Sequence, residues 1–107
     1  TCIVDYNKIQ IDGFVKDVKD PEPFADKWRA FGWNVERLDG HDHRSLKRGL
    51  AAAGKTSQPT CVIADTVKGR GVSFMENQVL WHYRSPQGDE FAAAMAELEC
   101  PEEVRDA

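Results

Sequence analysis

Four short stretches hold the residue types that do chemistry. Asp5-Tyr6-Asn7-Lys8-Ile9 sets an asparagine amide oxygen near a backbone carbonyl. Both are neutral, hard oxygen donors, which Mg2+ accepts while its other positions keep water and phosphate. The same residues also suit an Asx-turn at the end of a strand. Gly40-His41-Asp42-His43 lines up two imidazoles and a carboxylate. Consecutive residues converge poorly on one ion, and no further Cys or His stands at zinc spacing, so a helix start capped by Asp42 with two exposed imidazoles is the expectation. Lys68-Gly69-Arg70-Gly71 has the outline of a phosphate cradle without the full P-loop pattern. A glycine turn leaving a strand reads equally well. Trp81-His82-Tyr83-Arg84 sets an imidazole between aromatics and next to a cation. There it can donate to a phosphate or move a proton, or the aromatics simply anchor a packed loop.

Periodicity supplies the elements that must position these groups. Cys2-Ile3-Val4 is a β-branched apolar run and reads as a buried strand, broken by turn formers, with Asp12-Gly13 closing a loop. Asp20-Pro21 resembles an N-cap with a first-turn proline. Phe24, Trp28 and Phe31 then form an aromatic stripe on one helix face, and Gly32 stands in the helix-ending position. Residues 33–38 alternate as a strand with one exposed face. A helix follows on Leu46, Leu50 and Ala53, ended by Gly54, and residues 60–64 form the most continuously apolar strand. Residues 72–84 show no period and read as an ordered loop; Ser85-Pro86 introduces a last helix with Phe91, Met95 and Leu98 on its apolar face.

The order β-α-β-α-β-loop-α predicts an α/β fold, a three-layer parallel sheet with crossover helices. Ligands of such sheets gather beyond the carboxyl ends of the strands. Those ends are Asp5-Tyr6-Asn7, Asp39-Gly40-His41-Asp42 and Asp65-Thr66-Val67-Lys68-Gly69, all polar.

Composition narrows the classes of function. A chain of 107 residues, 41% hydrophobic and 30% charged, is one modest globular domain. A net charge of -4 with scattered Lys and Arg argues against nucleic acid. No apolar run approaches the roughly 18 residues that span a bilayer, and no basic-then-apolar leader opens the chain. Cys2, Cys61 and Cys100 form no CxxC, so neither a disulfide scaffold nor a cysteine zinc site is expected, and a reducing cytoplasm is the natural setting. A strand entered at the first residues points to a fragment or to one subunit of a larger assembly.

Taken in order, Val4-Asp5-Tyr6-Asn7-Lys8-Ile9-Gln10-Ile11-Asp12-Gly13, Ala30-Phe31-Gly32-Trp33-Asn34-Val35, Asp39-Gly40-His41-Asp42, Lys68-Gly69-Arg70-Gly71-Val72-Ser73-Phe74-Met75-Glu76-Asn77 and Trp81-His82 resemble the transketolase family of thiamine diphosphate enzymes. The likeness is greatest to the separate N-terminal subunits of split transketolases. It implies that residues 1–107 are part of the diphosphate-binding domain, an incomplete half of the cofactor fold. Mg2+ would be held by the Asn7 side chain and the Ile9 carbonyl, and by an aspartate of a Gly-Asp-Gly stretch outside this sequence. Ile11 matches a position lining the thiazolium pocket, and His82 a histidine reaching the diphosphate and the reacting substrate. Lys68 and Gly69 would stand near the pocket mouth.

The implied reaction moves a two-carbon ketol unit from a ketose donor to an aldehyde acceptor. A 2-oxoacid decarboxylating or acyloin-forming relative is an alternative, as is a non-catalytic assembly subunit. The implied partners are a chain carrying Gly-Asp-Gly, which would cover the sheet edge at Cys2, a chain carrying the glutamate that activates the pyrimidine, and a small sugar or keto substrate. Alone, the chain would not be a competent enzyme. Two residues depart from the family pattern: Tyr83 stands where glycine commonly follows the histidine, and Tyr6 replaces a frequent asparagine.

Overall fold

The computed structural model describes residues 1–99, so Cys100 lies outside the described residues. The chain runs through β1 (Cys2–Tyr6), a small hairpin of β2 (Ile9–Gln10) and β3 (Gly13–Phe14), α1 (Val15–Val18), α2 (Phe24–Ala30), β4 (Asn34–Asp39), α3 (His43–Ala53), β5 (Thr60–Asp65), a 3-10 turn (Val79–His82) and α4 (Asp89–Leu98). β1, β5 and β4 form one parallel sheet in that order. The expected α/β class and parallel sheet are therefore observed.

The continuous apolar run of β5 has its cause in that order. As the central strand it is covered on both faces, and Cys61, Val62 and Ile63 are fully buried. Burial of Cys61 also pushes its thiol up to about 11, so it behaves as a small apolar side chain. Alternation sends Val4, Tyr6, Val35, Cys61 and Ile63 to one face, where Phe24, Trp28 and Trp33 pack in edge and tilted contacts. Leu38 points to the other face, against Gly49 of α3, where an added Cβ would run into the leucine side chain. Helices on both faces give the three layers.

Asp42 caps α3 as the sequence predicts, accepting from the Arg44 and Ser45 amides. Three expectations need correction. α2 begins at Phe24, not near Pro21: Asp20 accepts from the Glu22 amide and Glu22 from the Phe24 amide, so the acidic residues tie the turn ahead of the helix. Phe31 falls just past the end of α2 and is 83% exposed, outside the aromatic stripe. α4 starts at Asp89 after Gly88, whose φ of +56° suits glycine, and not at Ser85-Pro86. Gly54 ends α3 with φ −72°, in an ordinary right-handed conformation.

One charged cluster ties the sheet to its loops. Arg37 donates to both oxygens of Asp65 at 2.8 and 3.1 Å and to Glu22 at 2.9 Å, and the Lys8 ammonium stands 2.9 Å from Asp65. Hydrogen bonds from Arg37, then from Lys8, hold the Asp65 carboxyl below the usual range. A lowered folded-state value means that the ionised carboxylate stabilises the fold above about pH 4, the unfolded value, and that this is lost as pH falls through the lower folded value. The cluster is partly exposed, so Asp65→Asn is expected to cost only roughly 1 kcal/mol at pH 7. Urea unfolding from pH 7 down to about pH 2 checks this, with the gap between variant and wild type closing on acidification.

Candidate functional site

The register levels the carboxyl ends of the three strands, since Tyr6 and Asp39 both lie opposite Asp65. Beyond that line lies an open cleft of about 390 Å3, lined by Asp5, Asn7, His41, Thr66, Val67, Lys68, Gly69 and Arg70. Every strand contributes: Asp5 and Asn7 from the end of β1, His41 after β4, and Thr66 to Arg70 after β5. Gly40 lets the chain pass close to β5, because a Cβ there would overlap Thr66.

Asn7 is half-buried, and its Oδ1 accepts from the Ile9 amide at 2.9 Å. The Asx-turn is thus present, yet it uses one of two lone pairs on that oxygen and leaves the other for a cation. Lys8, between them, has φ +65°, and its ammonium reaches the Thr66 carbonyl at 3.5 Å as well as Asp65. Asp5 accepts from the Thr66 hydroxyl. Lys68 and Gly69 open the glycine loop, which closes on itself when the Asn77 amide donates to the Lys68 carbonyl at 2.9 Å. Gly69 has φ +76° and lies against the Met75 carbonyl, so glycine is required there.

The structure brings Asn7, Lys68 and Gly69 into one cleft. Ile9 does not line it and is buried in the hairpin that follows Asn7. Ile11 occupies the hairpin turn and is 62% exposed. His82 does not line the cleft: it ends the 3-10 turn that packs on β2, and it is exposed. That turn is anchored by Trp81, which donates to the Phe74 carbonyl, stacks edge-on against Phe74 and lies under Arg84. The packed-loop reading of this stretch therefore holds, with the imidazole exposed on it.

Asp5, Thr66 and Val67, from the polar strand ends, and Arg70, from the glycine loop, also line the cleft. His41 is exposed, as the sequence reading has it, and its Nε2 also accepts from the Val67 amide at 2.7 Å, a contact that reading does not contain. Adjacency of β4 and β5 creates that contact.

Among the described residues no group of three or more His, Cys, Asp or Glu side chains converges as a metal site. The donor set at Asn7 and Ile9 is two neutral oxygens, which fits part of a Mg2+ shell and calls for a carboxylate from elsewhere. Lys68 and Arg70 supply positive charge at the same cleft, in keeping with an anionic ligand.

Comparison with known proteins bears on the same residues. The family model described as transketolase, thiamine diphosphate binding domain, matches residues 1–101. A 6-deoxy-6-sulfo-D-fructose transketolase subunit of Clostridium sp. is 40% identical over 99 residues, covering 92% of this chain and 36% of the relative. An apulose-4-phosphate transketolase subunit of Actinobacillus succinogenes is 43% identical, covering 90% of this chain and 35% of the relative. The chain therefore spans about a third of the length of these relatives. The crystal structure of a Campylobacter jejuni transketolase superposes with a TM-score of 0.69 at 29% identity, covering 73% of this chain and 12% of that one.

Proposed function

The chain belongs to the transketolase family, matching its thiamine diphosphate-binding domain, and from that premise we propose that it forms the diphosphate-and-metal side of a ketol-transferring site. The observation that carries this reading is the polar cleft at the level carboxyl ends of all three strands, with the Asn7 amide oxygen at its wall. In this reading Asn7 by its side chain and Ile9 by its carbonyl hold Mg2+. Lys68 and the backbone at Gly69 face the diphosphate, and Ile11 meets the thiazolium ring. The bound cofactor supplies the carbanion chemistry, while the protein binds, orients and shields it. Transfer runs from a ketose donor to an aldehyde acceptor, in the cytoplasm.

Partner chains complete the site, one bringing the Gly-Asp-Gly aspartate and one the glutamate. The shape supports this. The described chain is a plate of 48 × 39 × 15 Å with a radius of gyration of 16.6 Å, against about 13 Å for a compact domain of this length. β1 lies at a sheet edge with Ile3 58% exposed, and Phe91, Met95 and Leu98 leave the apolar face of α4 half open.

His82 is the residue proposed to reach the diphosphate and the substrate, contacting both once the site is assembled. In the assembled enzyme, His82→Ala is expected to lower the rate of the donor half-reaction by about 100-fold or more while thiamine diphosphate still binds. Stopped-flow measurement of the half-reaction beside a cofactor titration checks this, and wild-type turnover would remove His82 from the mechanism. Offering sugar phosphates against 2-oxoacids, with product analysis, tests the class of reaction. Release of carbon dioxide from the 2-oxoacid as the main outcome would replace ketol transfer with decarboxylation.

A further inference from the structure

We infer that His41 is a positioning residue for the cofactor cleft, holding the Val67-Lys68-Gly69 segment in place through its imidazole; the inference rests on the reading of the cleft given above. The backbone ladder explains why such a residue is needed. The Thr66 amide donates to the Tyr6 carbonyl, the last such bond from the segment after β5 to β1. The next amide, that of Val67, finds no strand beside it. His41 Nε2 takes it at 2.7 Å.

The turn that carries the imidazole is fixed at its backbone. The Gly40 amide donates to the Asp65 carbonyl at 2.8 Å and the His41 amide to Asp39 Oδ1 at 2.8 Å, which pins the turn after β4 to the end of β5. Accepting from an N–H requires a bare Nε2, so the imidazole carries its proton on Nδ1. Downstream, the Asn77 amide holds the Lys68 carbonyl and Gly69 makes its left-handed turn. The two residues proposed to face the diphosphate are thus clamped at one end by His41 and at the other by Asn77. Loss of the His41 clamp frees the Val67 amide and loosens Lys68 and Gly69 at the wall of the cleft. A clamp of this kind acts on cofactor affinity, where a group on the reacting atoms would act on turnover.

The test uses the assembled enzyme with His41→Phe, which keeps a ring but removes the acceptor, and His41→Gln, whose Oε1 reaches about as far as Nε2. The readouts are the dissociation constant for thiamine diphosphate at saturating Mg2+, kcat at saturating cofactor, and hydrogen exchange at the Val67 amide. His41→Phe is expected to weaken cofactor binding about tenfold and to speed exchange at Val67, with His41→Gln restoring both to within about threefold and kcat little changed throughout. Unchanged affinity and exchange in His41→Phe overturn the inference, as does a His41→Gln variant no better than His41→Phe. Asn7→Ala separates the two failures: if it too leaves affinity unchanged, the reading of the cleft has failed, and if it alone weakens binding, only the role of His41 has. Should His41→Phe not assemble, exchange in the unsubstituted enzyme decides, since a Val67 amide exchanging as fast as an open loop overturns the inference.

Discussion

Replacing Asn7 by alanine is expected to weaken binding of thiamine diphosphate with Mg2+ by roughly 100-fold in the assembled enzyme. The substitution removes the only side-chain oxygen that this chain is proposed to give the metal. It also breaks the hydrogen bond from the Ile9 amide that sets the amide group in place. What remains from this chain is the Ile9 carbonyl, a neutral donor, and Mg2+ would be poorly held by one such oxygen. Asn7→Asp is the conservative control: it keeps an oxygen in the same position for both jobs, so it should bind the metal far better than alanine does. Calorimetric titration of the cofactor with and without Mg2+ reads both variants. Wild-type affinity in Asn7→Ala would dismiss Asn7 as a ligand.

Gly69→Ala is expected to destabilise the chain by about 2–5 kcal/mol, with cofactor binding lost beside it. Two costs combine. At φ +76° an L side chain crowds its own backbone, about 1–2 kcal/mol. The new methyl would also fall 2.6 Å from the Met75 carbonyl carbon and 2.8 Å from its Cβ, and backbone gives way far less readily than the end of a flexible side chain. Gly32 is the control. It has φ +84° but nothing within 4 Å of an added Cβ, so Gly32→Ala should cost only the first part, about 1–2 kcal/mol. Urea midpoints of the two variants check the contrast. Equal losses would mean that the contact with Met75 carries no weight.

Much of the fold is legible because the strongest local signals are also the ones burial enforces. The run at residues 60–64 is apolar at nearly every position because β5 lies between two strands and two helical layers. Asp42 reads as a cap because its carboxylate satisfies the first amides of α3. The β2–β3 hairpin and α1 escape the reading because two-residue strands and a four-residue helix carry no period. The start of α2 misleads because Asp20 and Glu22 use their carboxylates on turn amides ahead of the helix. For the site, the residue types at the three strand ends point to the end of the sheet where the polar cleft lies. The bond from Val67 to His41 depends on β5 inserting between β1 and β4, which no local pattern contains. His82 lies on a loop held by Trp81 and Phe74, so its distance from Asn7 was equally beyond local signals.

The insertion of β5 between the other two strands has a consequence for how the chain is made. Among the described residues, β1 pairs in the sheet with β5 alone, nearly sixty positions further along. On a ribosome, the strand that leads into Asn7 must therefore wait for this neighbour until Thr60–Asp65 has cleared the exit tunnel. α1 to α3 and β4 can gather earlier, but the groove has no floor until that last strand slides in. Nascent chains halted before Asp65 would present a sticky, ungated edge, the stage at which chaperone capture matters most.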